Sequence, residues 1–375
     1  MRVSQQVLTS ESDNLQLRPS SGFGCRLLLV FGSPQRFEQF RAAIVQSFPD
    51  TIIAGCSTAG EIARDAIHDD SLVVTLLEFT STRVTAEKVS VQHADETQMA
   101  AQALAKQMAH QDLKHVFVFS DGLQVNGSTL ASTLNRYLPL GVTVTGGLAG
   151  DGSRFVQTAV FDAHGVHHGQ IIALGLYGEQ IEIGYGSLGG WESFGPERKI
   201  TRAQGNVLFE LDGQSALSLY KMYLGDAAKE LPASGLLFPL HLQAGEDKHG
   251  VVRTILSVDE KQQSMTFAGD MPVGATVRLM RAHFDRLING ATGAAQLADL
   301  QDHPAQFALL VSCVGRRLVL QQRTIDEIRS VQNVLGNNAV LSGFYSYGEL
   351  CPHGQSLDCN LHNQTMTITS LYERQ

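Results

Sequence analysis

What this chain lacks narrows its possibilities first. No run of apolar residues approaches the roughly 18 that a membrane helix needs, so a membrane role is not expected. Cysteine is sparse: Cys25, Cys56, Cys313, Cys351 and Cys359 are five in 375 residues, an odd number that argues against a secreted disulfide framework. Basic runs are missing too. The 28 Lys and Arg are outnumbered by 37 Asp and Glu, giving a net charge of -9, whereas nucleic-acid binding needs a basic face. RLMRAHFDRL (278–287) comes nearest and reads as a helix with a solvated face. The opening MRVSQQVLTSESDNLQLRPS has no apolar centre of the kind a signal peptide carries. The cytoplasm is therefore the expected location. Residues 1–21 read as a flexible polar arm.

What is present in quantity is glycine. The 36 glycines sit mostly at the ends of apolar runs and punctuate a chain of short strands. CRLLLVFGS (25–33) reads as a strand. FEQFRAAIVQSF (37–48) has helical spacing, with Phe37, Phe40, Ile44 and Val45 on one face. TIIAGCSTAGEI (51–62) is a second strand that runs into a glycine loop and an acid.

This unit recurs. HVFVFSDG, STLASTLNRYL and VTVTGGLAGDG repeat it over 115–152. FALLVSCVG, TIDEIRSVQNVLG and AVLSGFYSYGEL repeat it over 307–350. The first and last loops share the pattern G-x-x-x-x-G-E followed by an aliphatic residue, which predicts two related halves facing each other. The intervening TAVFDAHGVHHGQIIALGLYG (158–178) reads as a hairpin turned at Ala163-His164-Gly165. The predicted fold is α/β, with two related domains of mixed β-sheets flanked by helices. A boundary is expected in the charged Gly-Pro segment WESFGPE, dividing 22–195 from 196–375.

GCSTAGEI, GGLAGDG, GWESFGP, VLFELDGQSALSLY, CVGRR and GFYSYGEL…LHNQT together resemble the FIST proteins, bacterial sensors with a FIST N and a FIST C domain. The resemblance runs from about Gly24 to Leu371. It implies sensing of a small ligand and relay to a signalling partner. With no output module in this chain, that partner is expected to be a separate protein. In architecture the chain also resembles the NosP subset, which binds heme, senses nitric oxide, and regulates a histidine kinase or hybrid kinase in cyclic-di-GMP and biofilm signalling. That likeness implies heme b as cofactor and a diatomic gas as ligand. Homodimer formation is left open.

Three constellations could carry such a function. A heme needs an axial ligand in an apolar pocket. His241, in SGLLFPLHLQ, has the most apolar neighbours of any histidine, though a core histidine satisfied by backbone fits equally. His283 is the second axial candidate, with Arg281 and Arg286 beside it for the propionates. Cys351, His353, Cys359 and His362 form C-x-H-x5-C-x2-H. That set suits zinc, a regulatory disulfide, or loop residues with no shared task. The glycine loops are neither a Walker loop nor a dinucleotide fingerprint. Gly55, Ser57, Thr58, Glu61, Tyr345, Tyr347 and Glu349 could instead line a pocket for a small polar metabolite such as an amino acid, or the two glutamates could cap backbone N–H groups at turns. A hydrolase with Cys56 as nucleophile and His68 nearby is the weakest reading, because the matching loop has Phe344 where Cys56 stands. The chain is therefore not expected to be an enzyme.

Overall fold

The computed structural model describes residues 1–10, 12–244, 250–354 and 356–374. Its body is built from the β-α-β unit that the glycine loops mark, used three times. Strand β1 (Arg2–Leu8) precedes the first unit, which contains β2 (Cys25–Gly32), α1 (Pro34–Ser47), β3 (Ile52–Cys56), β4 (Glu61–Ala63), β5 (Ala66–His68), β6 (Leu72–Phe79) and β7 (Arg83–Ser90). The second contains α2 (Thr97–Met108), β8 (Leu113–Ser120), α3 (Gly127–Tyr137), β9 (Thr143–Leu148), β10 (Val160–Asp162), β11 (Gly165–His167), β12 (Gln170–Tyr177) and β13 (Ile181–Leu188).

A lobe of antiparallel strands follows. It contains β14 (Glu192–Gln204), β15 (Val207–Leu211), β16 (Gln214–Ser215), α4 (Ala216–Leu224), β17 (Leu240–Gln243), β18 (Val251–Arg253), β19 (Ile255–Asp259), β20 (Ser264–Phe267) and β21 (Thr276–Arg281). The chain then returns to the body through α5 (Phe284–Ala298). The third unit contains β22 (Phe307–Cys313), α6 (Val314–Leu320), α7 (Thr324–Leu335), β23 (Val340–Ser346), β24 (Gly348–Pro352), β25 (Cys359–His362) and β26 (Met366–Glu373).

Local chemistry explains the helices. Ser33 caps α1 by accepting from Arg36 N, Pro34 opens the first turn, and Phe37, Phe40 and Ile44 supply the buried stripe. Asn126 caps α3 in the same way through Thr129 N. The stretch read as a helix at 278–287 is divided. Arg278 to Arg281 alternate across the sheet as part of β21, and the helix starts only at Phe284.

The sheets do not respect the boundaries of the units. Their orders are β1-β6-β2-β3-β10-β11, β7-β12-β8-β9-β24-β25 and β13-β26-β22-β23-β4-β5. Each is mixed: the pairs β2·β3, β8·β9 and β22·β23 are parallel and their neighbours antiparallel. Each unit also gives its short hairpin to another sheet. The first donates β4-β5 to the third, the second donates β10-β11 to the first, and the third donates β24-β25 to the second. The repeat is thus threefold and cyclic, where the two matching loops predicted a pair of halves. The first residues correct the reading of a flexible arm, since β1 pairs with β6 along its whole length, from Arg2↔Glu78 to Leu8↔Leu72.

The centre is aromatic. Phe31 of β2, Phe119 of β8 and Phe344 of β23 are fully buried, with ring centroids 4.9 to 6.0 Å apart. Such contacts add about 0.5–1.5 kcal/mol per pair beyond area burial.

Candidate functional site

Gly55, Gly146 and Gly343 occupy the same register position in their sheets, opposite Val30, Val118 and Leu310. A Cβ at any of them would fall on the carbonyl oxygen of that partner. The three loops that follow are tied to one another by backbone hydrogen bonds. Gly150 N donates to Ser57 O (3.0 Å), Ala59 N to Tyr345 O (2.8 Å), Tyr345 N to Gly60 O (2.9 Å) and Tyr347 N to Leu148 O (3.1 Å). The seven residues read as a ligand pocket therefore lie on or beside one junction.

Most of that junction is closed. Ser57 exchanges bonds with Ala159, donating from N and accepting at Oγ, both at 2.9 Å. Thr58 donates to one oxygen of Glu61; the other accepts from Ser71 N (3.2 Å) and Oγ (2.8 Å). Glu349 repeats the arrangement, accepting from Ser346 Oγ (2.7 Å), Thr365 Oγ1 (2.9 Å) and Thr365 N (3.2 Å). Burial raises the pKa of both carboxyls and pushes Glu349 to about 8. These acids staple each loop to the turn before the next long strand. The Tyr345 hydroxyl is buried with no hydrogen-bond partner among the described residues, under the guanidinium of Arg317 at 5.3 Å from the ring centroid.

The second loop breaks the pattern. Val160 stands where Glu61 and Glu349 stand in their sheets. Asp121, at the end of β8, takes over the cap and accepts from Leu123 N, Gln124 N, Thr158 Oγ1 and Gly169 N at 2.7–3.0 Å. The loop between Leu148 and Val160 is also longer, and it folds around Asp151. That carboxylate accepts from Phe155 N (2.9 Å), Val156 N (3.0 Å) and Gln157 N (3.0 Å), and from the Tyr347 hydroxyl. Burial alone would raise its pKa; the hydrogen bonds outweigh that and lower it. Phe155 is held at φ 53°, the left-handed region that a bulky side chain rarely enters. Its ring stacks on Tyr347 at 4.2 Å and 14°.

Beside this stack lies a cavity of about 170 Å³ in the seam between body and lobe. Tyr347, Phe155, Leu148 and Gly127 wall it on one side, and Asn206, Leu256, Phe267 and Gly269 on the other. Of the seven pocket residues read from sequence, only Tyr347 lines it. Phe155 and the lobe residues were missed. The signal available was the longer gap between GGLAGDG and the hairpin at Val160, compared with the tight GCSTAGEI and GFYSYGEL.

The heme constellation is not assembled. Leu240 and Leu242 of β17 point into the lobe core, and the alternation of the strand turns His241 to the opposite, half-buried face, in register with Arg278. The cavity there, about 130 Å³, is lined by Ser193, Glu197, Gln243 and Arg278. Its size and polarity do not fit a macrocycle, since ligand pockets for larger molecules run to roughly 300–1,000 Å³. His283 is exposed, and Arg281 and Arg286 both face Glu192 at 3.0–3.7 Å. Among the described residues, this place therefore does not fit heme.

The zinc or redox set is brought together only in part: the rings of His353 and His362 lie 5.3 Å apart, but the thiols are separated. In the β24·β25 ladder Cys351 faces Asn360 and Cys359 faces Pro352, which puts the two thiols on opposite sides of the ribbon. Burial pushes both thiols up. His362 bonds the Cys351 carbonyl through Nε2 (3.0 Å). Among the described residues no group of three or more such side chains could hold a metal ion. Cys56 is fully buried with its thiol raised, and His68 lies on β5 in another sheet, so no nucleophile–base pair forms.

With this geometry in hand, comparison with known proteins shows that the chain belongs to the FIST family. A FIST N domain matches residues 26–214 and a FIST C domain residues 216–352. FIST domains are sensor domains of signal transduction, sensory and not catalytic. An uncharacterized protein of Methanocaldococcus jannaschii is 22% identical over 313 residues, covering 76% of this chain and 58% of its own length. The chain thus spans well under two thirds of that curated relative. A solved structure, cyanuric acid hydrolase from A. caulinodans, aligns with 78% of this chain and 99% of its own at 10% identity, with a TM-score of 0.18. No helix of the described residues is long and apolar enough to cross a membrane.

Proposed function

We propose that this FIST chain senses a small ligand in the seam between body and lobe, and that occupancy changes how the lobe sits for a partner protein to read. The observation that carries this reading is the cavity itself. It lies where two packed units meet, a usual place for ligands, and it abuts the one glycine loop that is lengthened and strained. The lobe is joined to the body at two crossings, one of them through Gly189 and Gly190, the latter at φ 79°. Among the described residues the polar contacts across the seam include Asn126 Nδ2 to Asp270 Oδ1 (3.1 Å), Asp270 N to Ser128 Oγ (3.4 Å), Arg253 Nη1 to Leu361 O (3.0 Å) and Gln364 Nε2 to Leu236 O (3.4 Å). A ligand that touches both sides favours the closed arrangement by its difference in affinity for the two. A sensor histidine kinase as the reader, and cyclic-di-GMP control beyond it, follow from the resemblance to the stand-alone sensors of the family. Heme-based detection of nitric oxide has no support from the surroundings of His241 or His283.

The test is a thermal-shift screen of a mixed metabolite library against the chain and its Leu256→Trp variant. Leu256 is 38% exposed on the lobe wall, so the larger ring fills the cavity without entering the core. A ligand at 100 times its dissociation constant stabilises by about 2.7 kcal/mol. Hits that stabilise the chain and not the variant support the reading. A screen in which no hit depends on Leu256 overturns it.

A further inference from the structure

Resting on that reading of the seam, we propose that its ligand is a small uncharged aromatic molecule of the phenol or indole class. The first ground is charge. Among the described residues no charged side chain lines the cavity. Two nearby acids are held elsewhere, Asp121 by three backbone N–H groups and a hydroxyl and Asp151 by three backbone N–H groups and Tyr347, while Asp270, outside the lining, accepts from Asn126 at Oδ1. Arg253, a buried cation beside the cavity, lies behind Gly269 and donates to the carbonyls of Leu361 (3.0 Å), Val252 (3.3 Å) and Asp270 (3.3 Å). A zwitterion or an anion entering here would be desolvated without a counter-charge, which is costly. An amino acid is therefore a poor fit, and Glu61 and Glu349, the acids that might have held its ammonium group, are sealed behind their own hydrogen bonds.

The second ground is shape. An engineered cavity of about 150 Å³ is enough to admit benzene, so about 170 Å³ corresponds to one ring with a small substituent or one compact fused pair. The third is the wall. Phe155 and Tyr347 already form a parallel stack at 4.2 Å. Phe155 is 36% exposed, so its ring has a face onto which a third ring can extend the stack. Asn206 gives its amide to Phe267 O (2.8 Å) and keeps a side-chain carbonyl oxygen that can accept from a ligand O–H or N–H.

Titration calorimetry with phenol, indole, benzoate and benzylamine tests the proposal on the full chain. Phenol and indole are expected to bind at least tenfold more tightly than the two charged rings, and Phe155→Gly is expected to weaken them at least tenfold. That variant removes the ring while suiting the left-handed backbone, so its melting temperature should stay close to that of the parent. If benzoate binds as well as phenol, Arg253 is reachable and the uncharged class is overturned. Equal or better binding of benzylamine overturns it as well. No binding of phenol or indole up to 10 mM (roughly the weak end of fragment affinities) also overturns it. The reading of the seam as a sensor site is judged separately, by the library hits and their dependence on Leu256.

Discussion

Glu349 is a carboxyl group without access to water, and its partners are two hydroxyls and one backbone N–H. Burial raises its pKa from 4.5 to about 8 despite those donors. Between these values the folded chain holds a proton that the unfolded chain has lost. Its contribution to stability is therefore complete below about pH 4.5 and declines as pH rises through about 8, by at most about 1.4 kcal/mol for each pH unit crossed. The Glu61 carboxyl is raised by burial in the same direction. Glu349→Gln is expected to flatten the decline and to be more stable than the parent at pH 9. Urea midpoints at pH 5, 7 and 9 check this, and parallel slopes for the two proteins would assign the pH dependence to another group. At this scale the sequence was partly legible. G-x-x-x-x-G-E marked both glutamates, and the turn-capping alternative describes what they do. His241 was misjudged because LLFPLHL is apolar when counted by composition, while a strand sorts its residues by alternation: Leu240 and Leu242 go inward and His241 does not.

At the scale of elements, the tightest requirement is the approach of each second strand to its first. Gly343 lies against the backbone of Leu310 with no room for a methyl group, as Gly55 does against Val30. Gly343→Ala has to push β22 and β23 apart, and both are buried along their length apart from Val340 at the start of β23. A loss of about 3 kcal/mol or more is expected, at the upper end for point changes. Gly336→Ala is the control, since its surroundings are open, although its φ of 81° still costs something. Denaturant midpoints of the two variants separate crowding from backbone strain. The β-α-β units could be read from local periodicity and caps. The pairing of β1 with β6 could not: RVSQQVL is polar enough to pass for an arm, and only the buried partner strand LVVTLLEF explains its order.

The whole molecule is organised by exchange. β4 belongs to the first unit by sequence and to β23 by hydrogen bonding, while β24 belongs to the third and pairs with β9. Nothing in a local pattern announces a partner some 280 residues away, which is why two matching loops read as two halves. It follows that residues 26–214, the FIST N span, lack the strands that β4 and β13 need. Expressed alone, that span is expected to be insoluble or to lack a cooperative melt, and co-expression with residues 215–375 should restore both. Solubility and circular-dichroism melts decide it, and a cooperative melt of the isolated span would contradict the role given to exchange. A frame with three equivalent loops has three places where a molecule could lodge, yet Glu61 and Glu349 stitch two of them shut. Among the described residues one cavity borders this junction, so cooperation between loop sites within a chain is not expected. The dose–response of a single copy should then be a plain hyperbola, half-filled at the dissociation constant, so that any steeper switching in the cell would have to arise in the protein that listens.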